Sequence, residues 1–210
     1  MKSFVIVFFL LVLSAMARAQ KADSFNLGAV IGPGTRLVYE VVADTKLDLI
    51  MLVLDKNGGA LKWRTTEPLL YTGTVLHTLK GLDEATAMYN YFDNSMARLS
   101  DQSLQFWISR KVFEHLRQQR GKPITMYPYG VNAPGLEMGS LSGPTNFEIL
   151  VDGKPVIIQE QKAVALVKVD GKYVPAPGGE FFTVLADPDF RVLVNFLFDS
   201  RLRLKEVLTK

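Results

Sequence analysis

The chain has 210 residues, 48% of them hydrophobic and 21% charged, with 24 basic against 21 acidic side chains and no cysteine. That composition belongs to a globular protein with an ordinary apolar core, and it excludes disulfides, thiol catalysis, cysteine metal sites and lipidation through cysteine. Charges this nearly balanced give no nucleic-acid footprint, which demands a dense basic patch.

Met1-Lys2-Ser3, the apolar run Phe4 to Leu13 and the small residues Ala17 and Ala19 compose a secretory signal peptide over residues 1–19. Cleavage after Ala19 would leave Gln20 as the new amino terminus. The apolar run falls short of the roughly 20 residues that span a bilayer, and no later segment approaches that length without a charge. The expectation is an exported protein with no transmembrane segment, resident in a bacterial periplasm, with secretion beyond it as the alternative. Removing Lys2 and Arg18 with the signal leaves 22 basic against 21 acidic residues. Residues 20–210 are enough for a single domain.

Three turn signals punctuate strand-like runs: Asp55-Lys56-Asn57-Gly58-Gly59, Asp152-Gly153 and Asp170-Gly171. Before the first lie Arg36 to Ala43 and Leu47 to Leu54. The latter is apolar on both faces apart from Asp48, as a covered central strand would be. After the turn, Leu61, Trp63 and Thr65 alternate with Lys62, Arg64 and Thr66, one face buried and one wet. Gly73 interrupts the run from Leu69 to Leu79, which predicts a bulge or bend. Residues 34–79 therefore read as β-rich.

Residues 82–120 read as helical. Leu82, Ala85, Met88, Tyr89, Phe92 and Met96 recur at three- and four-residue steps, the pattern of one amphipathic helix face, and Asp83 and Glu84 suit its first turn. Leu104, Phe106 and Ile108 alternate as in a short strand, which would put Trp107 on the face opposite Phe106, with at least one of the two exposed or in contact with the long loop. Ser109 can cap a second helix, with Val112, Phe113 and Leu116 inward and Gly121 at its end. From Gly121 to Pro144 come five glycines and four prolines, with Met126, Tyr127, Tyr129, Leu136 and Met138 among them. This predicts a long ordered loop over 121–146, not a strand.

The β signal resumes over 147–208, in Phe147 to Val151, Val156 to Gln159, Ala163 to Val169, Phe181 to Ala186, Phe190 to Phe198 and Leu202 to Leu208. The last two should form a hairpin through Asp199-Ser200. Pro155, Pro175, Pro177 and Pro188 fall at predicted strand ends, where a missing donor does no harm. The fold class this predicts is α+β: a large curved antiparallel sheet, or two, built from hairpins around two central helices.

Chemistry-bearing groups are scarce. His77 and His115 lack any spacing that suggests a metal site and read as structural. Gly139-Ser140-Leu141-Ser142-Gly143 is not a nucleophile elbow, and Ser100-Asp101-Gln102 lacks the partner elements of a penicillin-binding triplet. Asp187-Pro188-Asp189 with Asp199 could offer oxygens to calcium, but an Asp-Pro turn explains it better. Asp83 and Glu84 diverge by about 100° on a helix and cannot flank one substrate. No catalytic residue, metal site or cofactor is expected. Trp63, Tyr71, Trp107, Tyr127 and Tyr129, with Phe106, remain as candidates to line a cleft for an apolar or saccharide-like ligand.

The runs Gly34-Thr35-Arg36-Leu37-Val38-Tyr39-Glu40-Val41, Trp63-Arg64-Thr65-Thr66, Ala87-Met88-Tyr89-Asn90 and Leu202-Arg203-Leu204-Lys205-Glu206-Val207 resemble exported proteins of unknown function from Gram-negative bacteria. Such proteins are similar to lipoprotein-carrier-like and related β-clam folds, in which a curved antiparallel sheet wraps around helices. The resemblance implies a fold class and no catalytic residues. The leading expectation is a non-enzymatic binding protein holding a lipidic or apolar ligand in the concavity of the sheet, beneath the 121–144 loop. The alternative is a structural or interaction module of the cell envelope that recruits a protein partner. A hydrolase using loop residues comes third.

Overall fold

The computed structural model describes residues 24–42, 47–68, 70–89, 95–140, 143–197 and 201–209; the expected signal peptide, Phe92, Ser142 and the Asp199-Ser200 turn lie outside them. Fourteen strands and three short helices are described. Strands β1 (Arg36–Val42), β2 (Leu47–Val53), β3 (Ala60–Thr65) and β4 (Thr72–Leu76) form an antiparallel meander, and β6 (Met96–Arg98) adds in parallel to β4. On its other side β1 pairs along β14 (Arg201–Leu208). From β14 the sheet continues through β13 (Leu193–Leu197), β12 (Lys172–Leu185), β11 (Lys154–Val169), β9 (Leu136–Gly139) and β8 (Ile124–Met126).

The sheet also closes on itself. β10 (Thr145–Val151) pairs with the first half of β11 and, in parallel, with the end of β14 at Leu150–Glu206 and Val151–Val207. β10, β11, β12, β13 and β14 thus make a five-strand ring, and β1 to β4 and β6 extend from it as a wing. Leu37, Tyr39, Met51, Leu61 and Trp63 of the wing share one core with Phe182, Val184, Phe196, Leu202 and Leu204 of the ring. Helix α3 (Arg110–Gln118) supplies Val112, Phe113 and Leu116 to that core, and the Ser109 hydroxyl accepts from Val112 N at its start.

The strand-rich, curved architecture matches the expectation; the helical middle does not. Helix α2 is only Leu79–Glu84, and α1 (Leu27–Val30) has no counterpart in the sequence reading. The expected helix from Leu82 to Met96 stops at Ala85, whose ψ of 138° is extended. Ala87–Met88 instead form β5, parallel to β7 (Ser103–Leu104), with Tyr127 bridging to Ala87. Helix propensity is weak through Thr86 and Asn90, so tertiary pairing overrides the period. Leu82, Ala85 and Met88 are buried as the period required, whereas Met96 is 64% exposed at the sheet edge.

Other details are corrected in the same way. The sheet is mixed, since β4·β6, β10·β14 and β5·β7 are parallel. Where a loop is expected over 121–146, the described residues hold β8 and β9, which pair with each other and bring Met138 against Ala165 of β11. The runs 156–159 and 163–169 are one strand, and Pro175 and Pro177 lie inside β12. On β2 only Leu49, Met51 and Val53 are buried; Ile50 and Leu52 on the outer face are half-buried.

Gly73 makes no bulge. It pairs in register with Trp63, and a Cβ there would lie 2.6 Å from the indole, so the glycine makes room for the ring. Gly58 does the same for Trp107 and sits at φ +77 in its turn. Both remaining hairpin turns are as expected: Asp152 and Asp170 at φ 48 and 50, each followed by a positive-φ glycine, match the right-handed strand twist. Phe106 and Trp107 are both buried, contrary to the alternation, because Phe106 adopts φ 63 and redirects the chain.

Gly73→Ala is expected to lower stability by about 1–3 kcal/mol in urea melts, with a smaller loss in a Trp63→Phe background. Tyr39→Phe removes the hydroxyl that donates to Leu193 O at 2.7 Å and leaves that contact unmade. A loss of about 1–2 kcal/mol is expected, with no change of fold by circular dichroism.

Candidate functional site

The aromatic residues chosen from sequence are not brought together. Trp63 is a core ring under Gly73. Trp107 is a core ring between Gly58 and Phe190, edge-on to the latter at 5.3 Å. Tyr71 and Tyr129 are exposed. Tyr127 lines a cleft of about 520 Å³ with Lys80, Glu84, Thr86, Asp101, Gln102 and Val131. That cleft is walled mostly by polar groups. Its Lys80 and Asp101 are 3.8 Å apart and both well exposed.

The concave side of the sheet carries the packed core. Among the described residues, Trp107, Tyr39, Phe106, Phe113, Phe182 and Phe196 are the largest fully buried side chains. The described clefts lie outside it. Those of about 360 and 200 Å³ flank Asp187, Asp189 and Asn26, where Asp187 Oδ1 accepts from Asp189 N at 2.8 Å as an Asp-Pro turn requires. Among the described residues no group of three or more histidine, aspartate or glutamate side chains is placed to hold a metal ion.

The histidines serve the backbone. His77 Nε2 lies 3.1 Å from Gln105 N, which can only donate, so Nδ1 carries the proton and donates to Gly58 O at 2.6 Å. This neutral tautomer ties the β2–β3 turn to the 105 segment. Burial holds the imidazole pKa below its ordinary value, outweighing the hydrogen bond to Gly58 O, which favours the charged ring. His115 Nε2 donates to Lys122 O at 3.1 Å and fastens the end of α3. Ser140 is fully buried, with its hydroxyl accepting from Gln161 Nε2.

Buried charge is likewise structural. Arg191 donates to the carbonyls of Ile108, Pro188 and Leu82, joining three segments. Burial first, then the nearby Arg110, lowers its pKa. Glu160 is buried and accepts from the Thr183 hydroxyl at 2.6 Å, across the β11–β12 pair.

What sequence reasoning missed is on the outside. Beyond Ala165, where β9 stops pairing, and before Phe182, where β13 starts, β11 and β12 are a two-stranded ribbon. Residues 167–175 are exposed without interruption, and they include Val167, Val169, Tyr173 and Val174. The available signal was length: Asp170-Gly171 joins runs longer than the body of the sheet can pair.

No protein-family model, curated protein or solved structure matches the chain. Among the described residues no helix is long and apolar enough to cross a membrane.

The lowered His77 pKa fixes a sign. Below about pH 6.5 the unfolded chain takes up a proton that the folded imidazole resists, so stability should fall as pH drops through that value. Thermal melts between pH 7.5 and 5 are expected to show this decline. His77→Gln should be less stable at pH 7.5 and show a flatter dependence. Asp152, held low by the Thr209 hydroxyl and N–H, acts in a separate window below its ordinary 3.8.

Proposed function

We propose that the chain is an exported, non-enzymatic docking module of the cell envelope that engages an envelope component through the β11–β12 ribbon. The observation that carries this reading is the uninterrupted exposure of residues 167–175 with four large apolar side chains among them. Isolated two-stranded ribbons are marginal in water, and soluble proteins seldom leave such a tip apolar unless it meets something. The alternative, a carrier with a lipidic ligand in the sheet's concavity, needs space that Phe106, Phe182 and Phe196 fill. Export rests on the signal-like segment before Gln20. Kinship with lipoprotein-carrier-like or β-clam proteins belongs to the same proposal and rests on the motifs quoted for it.

Val167→Thr/Val169→Thr/Val174→Thr keeps β-branching and strand propensity while removing the apolar surface. The triple variant is expected to melt within a few degrees of the wild type and to move from the envelope fraction to the soluble fraction of cells. Unchanged co-fractionation would refute the ribbon as the docking element. Native mass spectrometry of residues 20–210 should give the bare chain mass. A reproducible apolar adduct would favour the carrier instead.

A further inference from the structure

We propose that the component met by the ribbon is a lipid bilayer surface with anionic headgroups. This deepens the docking reading above and rests on it. The register places the tip's chemistry. Val167 faces Val174 and Val169 faces Lys172 across the strands, so these four side chains share one face. Lys168 faces Tyr173 on the other, with its ammonium 6.0 Å from the ring centroid. Val167, Val169, Tyr173 and Val174 are 40%, 50%, 38% and 36% exposed.

Two lysines thus stand beside three valines and a tyrosine at the end of a projection. Valine enters the acyl boundary, tyrosine prefers the interface, and lysine extends its stem along the apolar layer while its ammonium stays with the phosphates. The one acid at the tip, Asp170, is accounted for by the turn, since it sits at φ 50 ahead of Gly171 at φ 80. Charge therefore complements an anionic surface.

The β12 edge of the ribbon is ill-suited to an added protein strand. Pro175 and Pro177 lie within β12 on the stretch that β13 does not reach, and each removes a donor that an added strand would need. A headgroup layer needs no such ladder, because water and phosphate meet the free backbone groups there. The free ribbon, about four residues a side beyond Ala165, reaches roughly 13 Å, enough for the interface and too little to span a bilayer.

The test is co-sedimentation of the exported chain, residues 20–210, with vesicles of phosphatidylglycerol and phosphatidylethanolamine, and with vesicles of phosphatidylcholine alone. Binding to the anionic vesicles is expected, falling with added salt and at least tenfold weaker on phosphatidylcholine. Lys168→Gln/Lys172→Gln should weaken it roughly 10- to 30-fold. The triple valine-to-threonine variant should weaken it about tenfold or more, with melting temperature as the control for folding. Val169→Trp should show a blue-shifted emission on binding. Absence of binding by the wild-type chain, or binding indifferent to both sets of substitutions, would overturn the proposal. If vesicles fail while retention in the envelope fraction still depends on the three valines, the lipid inference falls and the docking reading stands with a protein partner.

Discussion

Tyr39 holds the two parts of the sheet to each other. It stands on β1, and its hydroxyl donates to Leu193 O on β13, a strand that β1 does not touch because β14 runs between them. Its ring lies 6.0 Å from Phe106 and 5.8 Å from Phe196, which are themselves 5.9 Å apart and edge-on. The wing is thereby fixed to the ring by side chains as well as by the β1–β14 ladder. Burial drives the phenol's pKa up, so the group stays a neutral donor at any ordinary pH. Phe106 comes from outside the sheet, and its φ of 63 is unusual for so bulky a residue. Its carbonyl receives Leu193 N at 2.8 Å while its ring joins the cluster, so contacts on both sides hold the strained backbone.

That cluster decides where function can be. With Tyr39, Phe106 and Phe196 at its centre, the concave side of the sheet is a packed core, and Arg191, Glu160 and His77 are each engaged by hydrogen bonds. Arg191 is spent on three carbonyls and Glu160 meets Thr183. His77 is held neutral between two backbone groups. These are the satisfied buried polar groups a stable interior demands, not groups waiting for a substrate. The remaining chemistry lies in open polar clefts and in the ribbon, where apolar residues break the usual surface pattern.

Much of the architecture could be read from residues because its signals are local. Asp152-Gly153 and Asp170-Gly171 name their turns, Ser109 names the start of α3, and the alternation around Trp63 names β3. The parts that could not be read depend on distant partners. β5, β6 and β7 are two or three residues long, and each exists only because a strand elsewhere accepts it in parallel. The 82–96 period still located buried positions while misnaming the element. Trp63 and Trp107 lie in the core because they carry the large apolar surface that cores use first, and only the glycines opposite them, Gly73 and Gly58, hint at this. Val167 and Val169 read only as the end of the β run from Ala163, since nothing local says that β9 stops pairing at Ala165.

The continuity of β11 connects the core to the tip. Its first half is closed into the ring by β10, and its middle is gripped at Glu160 by Thr183 and at Gln161 by Ser140, both pairs buried. Past Leu166 no residue before Ala176 is buried. A strand fixed at one end and free at the other can present a marginal ribbon without fraying it, because the ladder is already nucleated at its base. A contact made at Val167 and Val169 would then fall on a ribbon already paired at its base, with less of its energy lost in ordering the chain. The same arrangement explains why substitutions at the tip should leave folding nearly untouched, whereas one at Glu160 or Thr183 would loosen the ring itself.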